Sequence, residues 1–187
     1  PFGEVLARLH ARTPDLVAVV PAARNVADAV QAAAAQWPGE VRVLDPRELS
    51  PEAAEAQKFT AFAAADAALA ASGTVALELA AMGATQVTAY RVNALTAMIV
   101  KRLVLVEHAN LVNILLGGRI VPEFVQDALD PAAVADALAL LLTDPDARAA
   151  QERAADRALE MLGRGGEAPS ARAAASVLRA LGRTGRG

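Results

Sequence analysis

The sequence contains no cysteine and only two histidines, His10 and His108, which lie far apart. Disulfides and thiolate metal sites are therefore excluded, and the two imidazoles form no metal-ligand spacing. The lack of cysteine is compatible with a reducing compartment. Neither sign of charge dominates: the formal net charge is −3, which gives no argument for nucleic acid as a partner. Long apolar runs are missing too. The longest uncharged stretches near the middle, residues 67–77 and 79–90, fall well short of the ~20 residues that span a bilayer. No signal peptide is visible. The chain begins at Pro1 rather than Met, and the expectation is a processed or truncated chain.

What is present is alanine. It makes up much of the 55% hydrophobic content of the 187 residues, enough chain for one domain of ordinary size. Alanine favours helix and packs closely, so a helix-rich domain is expected. Apolar residues at Phe2, Val5, Leu6 and Leu9 form a helical stripe over 1–12, and Val26, Val30, Ala33, Ala34 and Trp37 form another. Between them "LVAVVP" (16–21) is a continuous apolar run that suits a buried parallel strand, as does "VRVL" (41–44). Ser50-Pro51 reads as an N-cap and first helical position, with the helix running to about Ala65. "DAALAAS" (66–72) and "QVTAY" (86–90) are further strands, and a helix ending at Gly83 lies between them. "NALTAMIVKRLVLV" reads as a helix, with strand character at its end as the alternative. Residues 107–119 look largely loop-like, Pro122-Glu123 has a helix opening as its plain reading, and Asp130-Pro131 and Asp144-Pro145 read as helix starts. A glycine-punctuated turn at 163–166 leads into a short helix and a frayed end. Strands alternating with helices predict βαβ units and a parallel sheet.

The junction "ASGTVALELAAMG" (71–83) carries the candidate chemistry. In α/β domains ligands bind beyond the carboxyl ends of the strands. Gly73 lets a ligand approach the backbone, the helix start favours phosphate, and Ser72 and Thr74 add hydroxyls. Glu78 lies one turn further in on the same face as Thr74. It is not the acid of a capping box, because Ser72 plus three is Val75 and Thr74 plus three is Leu77. A carboxylate there suits the two hydroxyls of a ribose, which gives a nucleotide-shaped arrangement. On spacing alone an alternative stands beside it, with Ser72 as a plain cap and Glu78 facing solvent.

The same stretch, followed by "AYR" (89–91), "LT" (95–96), "KRLV" (101–104), "LVN" (111–113) and "GRIVPEFVQ" (118–126), resembles the C-terminal half of the lipid-A-disaccharide synthases over roughly residues 1–180. The resemblance implies an α/β, Rossmann-like parallel sheet flanked by helices: the C-terminal nucleotide-binding domain of a GT-B-type glycosyltransferase, truncated at its N-terminus. Residues 1–162 would form the UDP-sugar-binding domain and 163–187 a glycine-rich turn and C-terminal helix or tail. The implied reaction transfers 2,3-diacylglucosamine from UDP to 2,3-diacylglucosamine 1-phosphate, with inversion, forming a β-1,6-linked disaccharide. No cofactor, metal or nucleic acid is implied. Two other functions stand beside it, a related UDP-sugar glycosyltransferase or epimerase and a non-catalytic nucleotide-binding module.

By the same resemblance Ser72, Gly73, Thr74 and Glu78 hold UDP, Asn113 matches an asparagine important for activity, and Arg119 and Gln126 sit in the following substrate-site motif. Plain readings remain for each: Asn113 as a loop residue bonding its own backbone, Arg119 as a surface charge, Tyr90 and Arg91 as packing and surface charge or as cleft lining. The stripe Leu95, Met98, Ile99, Leu103 beside Lys101 and Arg102 is core, or else a surface that meets the membrane that holds acylated substrates. The family also implies a homodimer exchanging C-terminal segments, and a cytoplasmic place at the inner face of the inner membrane. Thr85, Gln86 and Val112 depart from the family's usual prolines at nearby positions. The family's Gly-Ser-Arg loop and N-terminal domain, expected to supply the acceptor site and catalytic base, are absent from these residues. No base is assigned, and the isolated chain is not expected to form disaccharide.

Overall fold

A computed structural model describes residues 2–71, 73–91, 108–167 and 169–184. Ser72 lies outside the described residues. So does the helix expected from "NALTAMIVKRLVLV", with Leu95, Met98, Ile99, Lys101, Arg102 and Leu103. Among the described residues the order is α1 (Phe2–His10), β1 (Val17–Pro21), a 3-10 turn (Arg24–Val26), α2 (Ala27–Ala34), β2 (Glu40–Leu44), α3 (Pro51–Ala63), β3 (Ala68–Ala70) and α4 (Val75–Ala81). Then follow β4 (Gln86–Tyr90), α5 (Leu111–Leu116), β5 (Glu123–Val125), a second 3-10 turn (Gln126–Ala128), α6 (Pro131–Thr143), α7 (Pro145–Met161) and α8 (Pro169–Thr184). Among the described residues all strand pairing is parallel, in two ladders: β1 with β2, and β3-β4-β5 with β4 in the centre.

The proline-marked helix starts form as their sequences predict. Ser50 accepts the Ala53 N–H, Asp130 the Ala132 N–H, and Asp144 both the Asp146 and Ala147 N–H groups, each relieving donors that a helix start leaves unpaired. Three readings are corrected. Residues 111–116 are helical rather than loop, because Asn110 caps the turn by accepting the Val112 N–H and Gly117 ends it with φ +63°. Glu123 opens a strand, not a helix, since its side chain is buried against α5 and its main chain pairs with Thr88. The C-terminal helix is not short: α8 has 16 residues. The third strand is also narrower than expected, three residues within 66–72.

The central strand shows how the layers are built. Val87 and Ala89 point to one face, where they join Val5 and Leu9 of α1 and Val134, Ala135, Leu138 and Leu141 of α6 in an apolar core. Burial of each such large side chain stabilises by roughly 1.5–3 kcal/mol. Gln86 and Thr88 point to the other face, under α4, α5 and α7. The Thr88 N–H bonds Pro122 O on the β5 side, so with a period of two the N–H and C=O of Gln86 face that side as well, one step before β5 begins. The carboxamide of Gln151 in α7 stands in for the missing strand: Oε1 accepts the Gln86 N–H at 2.5 Å and Nε2 donates to Gln86 O at 3.1 Å. Gln151→Ala is expected to leave both groups buried and unpaired, at a cost of about 1–3 kcal/mol each. Urea unfolding checks this; an unchanged midpoint contradicts it.

Candidate functional site

The two ladders differ at their carboxyl edges. Beyond β1 and β2 the edge is filled by the protein's own groups. Arg24 donates to Arg47 O at 2.8 Å and to Leu49 O at 2.9 Å, and Arg47 pairs with Asp28 at 2.6 Å and Asp45 at 2.7 Å. The bond from Arg47 holds the half-buried Asp45 carboxyl below the usual carboxylate range. Beyond β3-β4-β5 no such ion-pair cluster fills the edge among the described residues. Gly73 follows β3, Arg91 follows β4 and Gln126 follows β5, and the register sets them side by side: Ala70 pairs with Thr88, and Tyr90 with Val125.

Each of the three is unusual. Gly73 has φ +126°, and a Cβ built there would meet nothing within 4 Å among the described residues, so the glycine serves the backbone conformation. Gln126 is the one non-glycine residue with positive φ among the described residues, at +57°. That conformation costs roughly 1–2 kcal/mol for an L-residue. Arg91 grips the turn, donating from Nε to Gln126 O at 3.3 Å and from Nη2 to Leu129 O at 3.4 Å. Thr74 begins α4 with no side-chain capping bond, so its hydroxyl is not used as a cap. As α4 has only seven residues, its dipole alone offers a phosphate limited charge compensation.

Glu78 matches neither expectation fully. It does not simply face solvent: Oε2 accepts from Lys58 Nζ of α3 at 2.9 Å, and both side chains are 30% exposed. Oε1 has no partner among the described residues.

Asn113 is buried, with 0% exposure, and its amide is saturated. Nδ2 donates to Val121 O at 2.8 Å and Glu123 Oε1 at 2.7 Å, while Oδ1 accepts the Ile120 N–H at 2.9 Å and the Val121 N–H at 2.8 Å. Two donors and two acceptor positions are all an asparagine amide has. Its bonds run to residues 120–123, not to its own turn, so the loop-asparagine reading is too local. Arg119 is not a free surface charge either, since Nη2 donates to the Glu123 carbonyl.

Glu123 is the residue that sequence reasoning missed. Its carboxylate, on a residue only 7% exposed, accepts the Ala109 N–H at 3.0 Å, the Asn110 N–H at 2.8 Å and Asn113 Nδ2. Asn110 in turn donates to Thr88 Oγ1 at 2.9 Å and Gln86 Oε1 at 3.3 Å. The polar/apolar alternation of "QVTAY" was the available signal that one face of β4 holds a polar layer. Asn113→Ala would free two buried N–H groups and remove a donor from Glu123, so about 2–4 kcal/mol of stability should be lost. A thermal melt should fall by several degrees. An unchanged melting temperature with lost ligand binding would instead favour direct contact.

The described residues form a parallel α/β domain with a glycine turn after β3 and a carboxylate one helical turn beyond, the place where ligands bind in α/β sheets. The comparisons carry this further. The family described as lipid-A-disaccharide synthetase matches residues 10–177. A lipid-A-disaccharide synthase of Ruegeria pomeroyi is 48% identical over 177 residues, covering 95% of this chain and 43% of the relative. One from Paramagnetospirillum magneticum is 46% identical (95% of this chain, 44% of the relative) and one from Rhodospirillum centenum 41% (96% and 43%). This chain belongs to the lipid-A-disaccharide synthetase family, and it spans less than half the length of these relatives.

Proposed function

We propose that this chain is the UDP-binding half of a lipid-A-disaccharide synthase, a hexosyltransferase of lipid A biosynthesis. Its donor is UDP-2,3-diacylglucosamine and its acceptor 2,3-diacylglucosamine 1-phosphate; UDP departs as the β-1,6 bond forms. The observation that carries the reading is the carboxyl edge of β3-β4-β5, where Gly73, Thr74 and Glu78 follow β3 on one side and Gln126 follows β5 on the other. Family membership supports it.

In this reading the diphosphate approaches the backbone at Gly73 and the Thr74 hydroxyl, with Ser72 adjoining. The ribose hydroxyls donate to Glu78 Oε1, the oxygen that Lys58 does not hold. Gln126 meets the donor from the far side of the edge, its left-handed backbone aiming it there. Asn113 and Arg119 act on activity through the chain they hold: residues 120–123 and the Glu123 carbonyl. The acylated substrates motivate a peripheral place at the cytoplasmic face of the inner membrane, with the 95–103 stripe as the docking element. No helix among the described residues is long and apolar enough to cross a membrane. A homodimer is part of the same proposal.

Calorimetry with UDP tests the nucleotide site. Glu78→Ala should weaken binding by about 1.5–3 kcal/mol, the worth of a hydrogen bond to a charged group. Equal affinities for the two forms, both folded, would remove Glu78 from the site.

A further inference from the structure

We propose that Lys58 is a positioning residue for nucleotide recognition, holding the Glu78 carboxylate so that one oxygen is kept for the ribose hydroxyls; this rests on the UDP-binding reading above. Neither the sequence motifs nor the family resemblance singles out Lys58. The structure brings it to Glu78 from a different helix.

Three contacts fix the ammonium. It lies 2.9 Å from Glu78 Oε2, 4.5 Å from the centroid of the Phe59 ring and 6.0 Å from that of Phe62. The two rings meet edge to face, with centroids 6.2 Å apart and planes at 77°. Phe62 packs on Ala70 of β3, Leu79 of α4 and Ala84, so the aromatic pair is anchored to the elements that carry the site. Lysine and glutamate are long side chains, each losing up to ~2 kcal/mol of rotamer freedom when ordered. Attraction of the cation to the ring faces offsets part of that loss before any ligand arrives.

Two consequences follow for a nucleotide. A carboxylate accepts at about four lone-pair positions, and the ammonium occupies one on Oε2, leaving Oε1 oriented and unpartnered among the described residues. An acid one helical turn from a diphosphate would also repel it. Lys58 neutralises that charge where it sits, so Glu78 serves as a hydrogen-bond acceptor without an electrostatic penalty on the phosphates. A competing role has the opposite sign: if the ammonium blocks the carboxylate, removing it strengthens binding.

The test compares UDP with 2′-deoxy-UDP on the intact protein by calorimetry, because only a ribose hydroxyl reports on Glu78. The unaltered protein should prefer UDP by about tenfold, as expected for one hydrogen bond to a charged acceptor. Lys58→Met keeps the stem over the rings and should bring that preference close to one, with the melting temperature unchanged. Lys58→Gln should behave the same way, and Lys58→Arg should restore the preference. A Lys58→Met or Lys58→Gln protein that retains the preference overturns the inference, even with weaker binding of both ligands, since the cation then acts on the diphosphate alone. Tighter UDP binding overturns it as well. If the unaltered protein binds no UDP, the nucleotide reading fails and the inference with it; UDP binding with an undisturbed preference in the variants sinks the inference only.

Discussion

The buried carboxylate of Glu123 is the constraint around which the site side of this domain is arranged. It meets no cation among the described residues; three N–H donors surround it, two from the main chain at Ala109 and Asn110 and one from Asn113. An ionised carboxyl away from water is costly unless its lone pairs are occupied, so this group demands that the chain before α5 be held in one place. Asn110, once held, caps α5 and reaches Gln86 and Thr88 of the central strand. Asn113, once held, fixes the main chain from Ile120 to Val121 as it enters β5. The hydrogen bonds are mutually dependent: each amide that satisfies the carboxylate is itself oriented by bonds that exist only when β4, α5 and β5 are assembled. Such a layer is stable as a whole and weak in part.

This explains a division within the sheet. On the face toward α1 and α6 the strands contribute Leu69, Val87, Ala89 and Phe124, and packing there is apolar and tolerant of shape. On the face toward α4, α5 and α7 the same strands contribute Gln86, Thr88 and Glu123, whose bonds have direction. The first face supplies most of the burial. The second sets the register of the three-residue β5 against β4, and with it the place where Gln126 leaves the sheet.

The legible parts of the sequence were those whose signals are local. Short apolar or alternating segments marked β1, β2 and β4, although β1 is not buried as its apolar run implied, with Val17 and Val19 exposed; Ser50-Pro51, Asp130-Pro131 and Asp144-Pro145 marked three helix starts, because a cap and its proline act within a few residues. The quoted junction after β3 was legible for the same reason: a glycine turn between a strand and a helix. What escaped was set by partners distant in the chain. Glu123 after Pro122 has the look of a helix start, and only the donors at 109–113 make it a strand residue. Asn110, Asn113, Gly117 and Gly118 read together as loop, although Asn110 and Gly117 are the two ends of α5. The single expected sheet forms as two ladders, and no local pattern specifies whether neighbouring strands share hydrogen bonds. Lys58 was likewise invisible, since its partner Glu78 is twenty residues away.

The end of β5 is held from both sides by guanidinium groups that bond carbonyls, not carboxylates. Arg119 takes the oxygen of Glu123, where the strand begins, and Arg91 those of Gln126 and Leu129, just after it ends. Two structural needs are met at once. Carbonyls released where a short strand gives way to a 3-10 turn find donors, and the left-handed Gln126 is tied down after its neighbours have been fixed. The charge, however, is not cancelled. Neither Arg91 nor Arg119 has a salt-bridge partner among the described residues, whereas at the closed edge beyond β2 Arg47 is matched by Asp28 and Asp45. Dipoles of carbonyls stabilise a cation without neutralising its field. The Arg91 guanidinium beside Gln126 thus has no ion pair among the described residues, opposite an acid already paired with Lys58. An anionic nucleotide seated between them would find hydrogen-bond acceptance on the Glu78 side and a guanidinium on the other, a polarity that the short α4 could not supply alone.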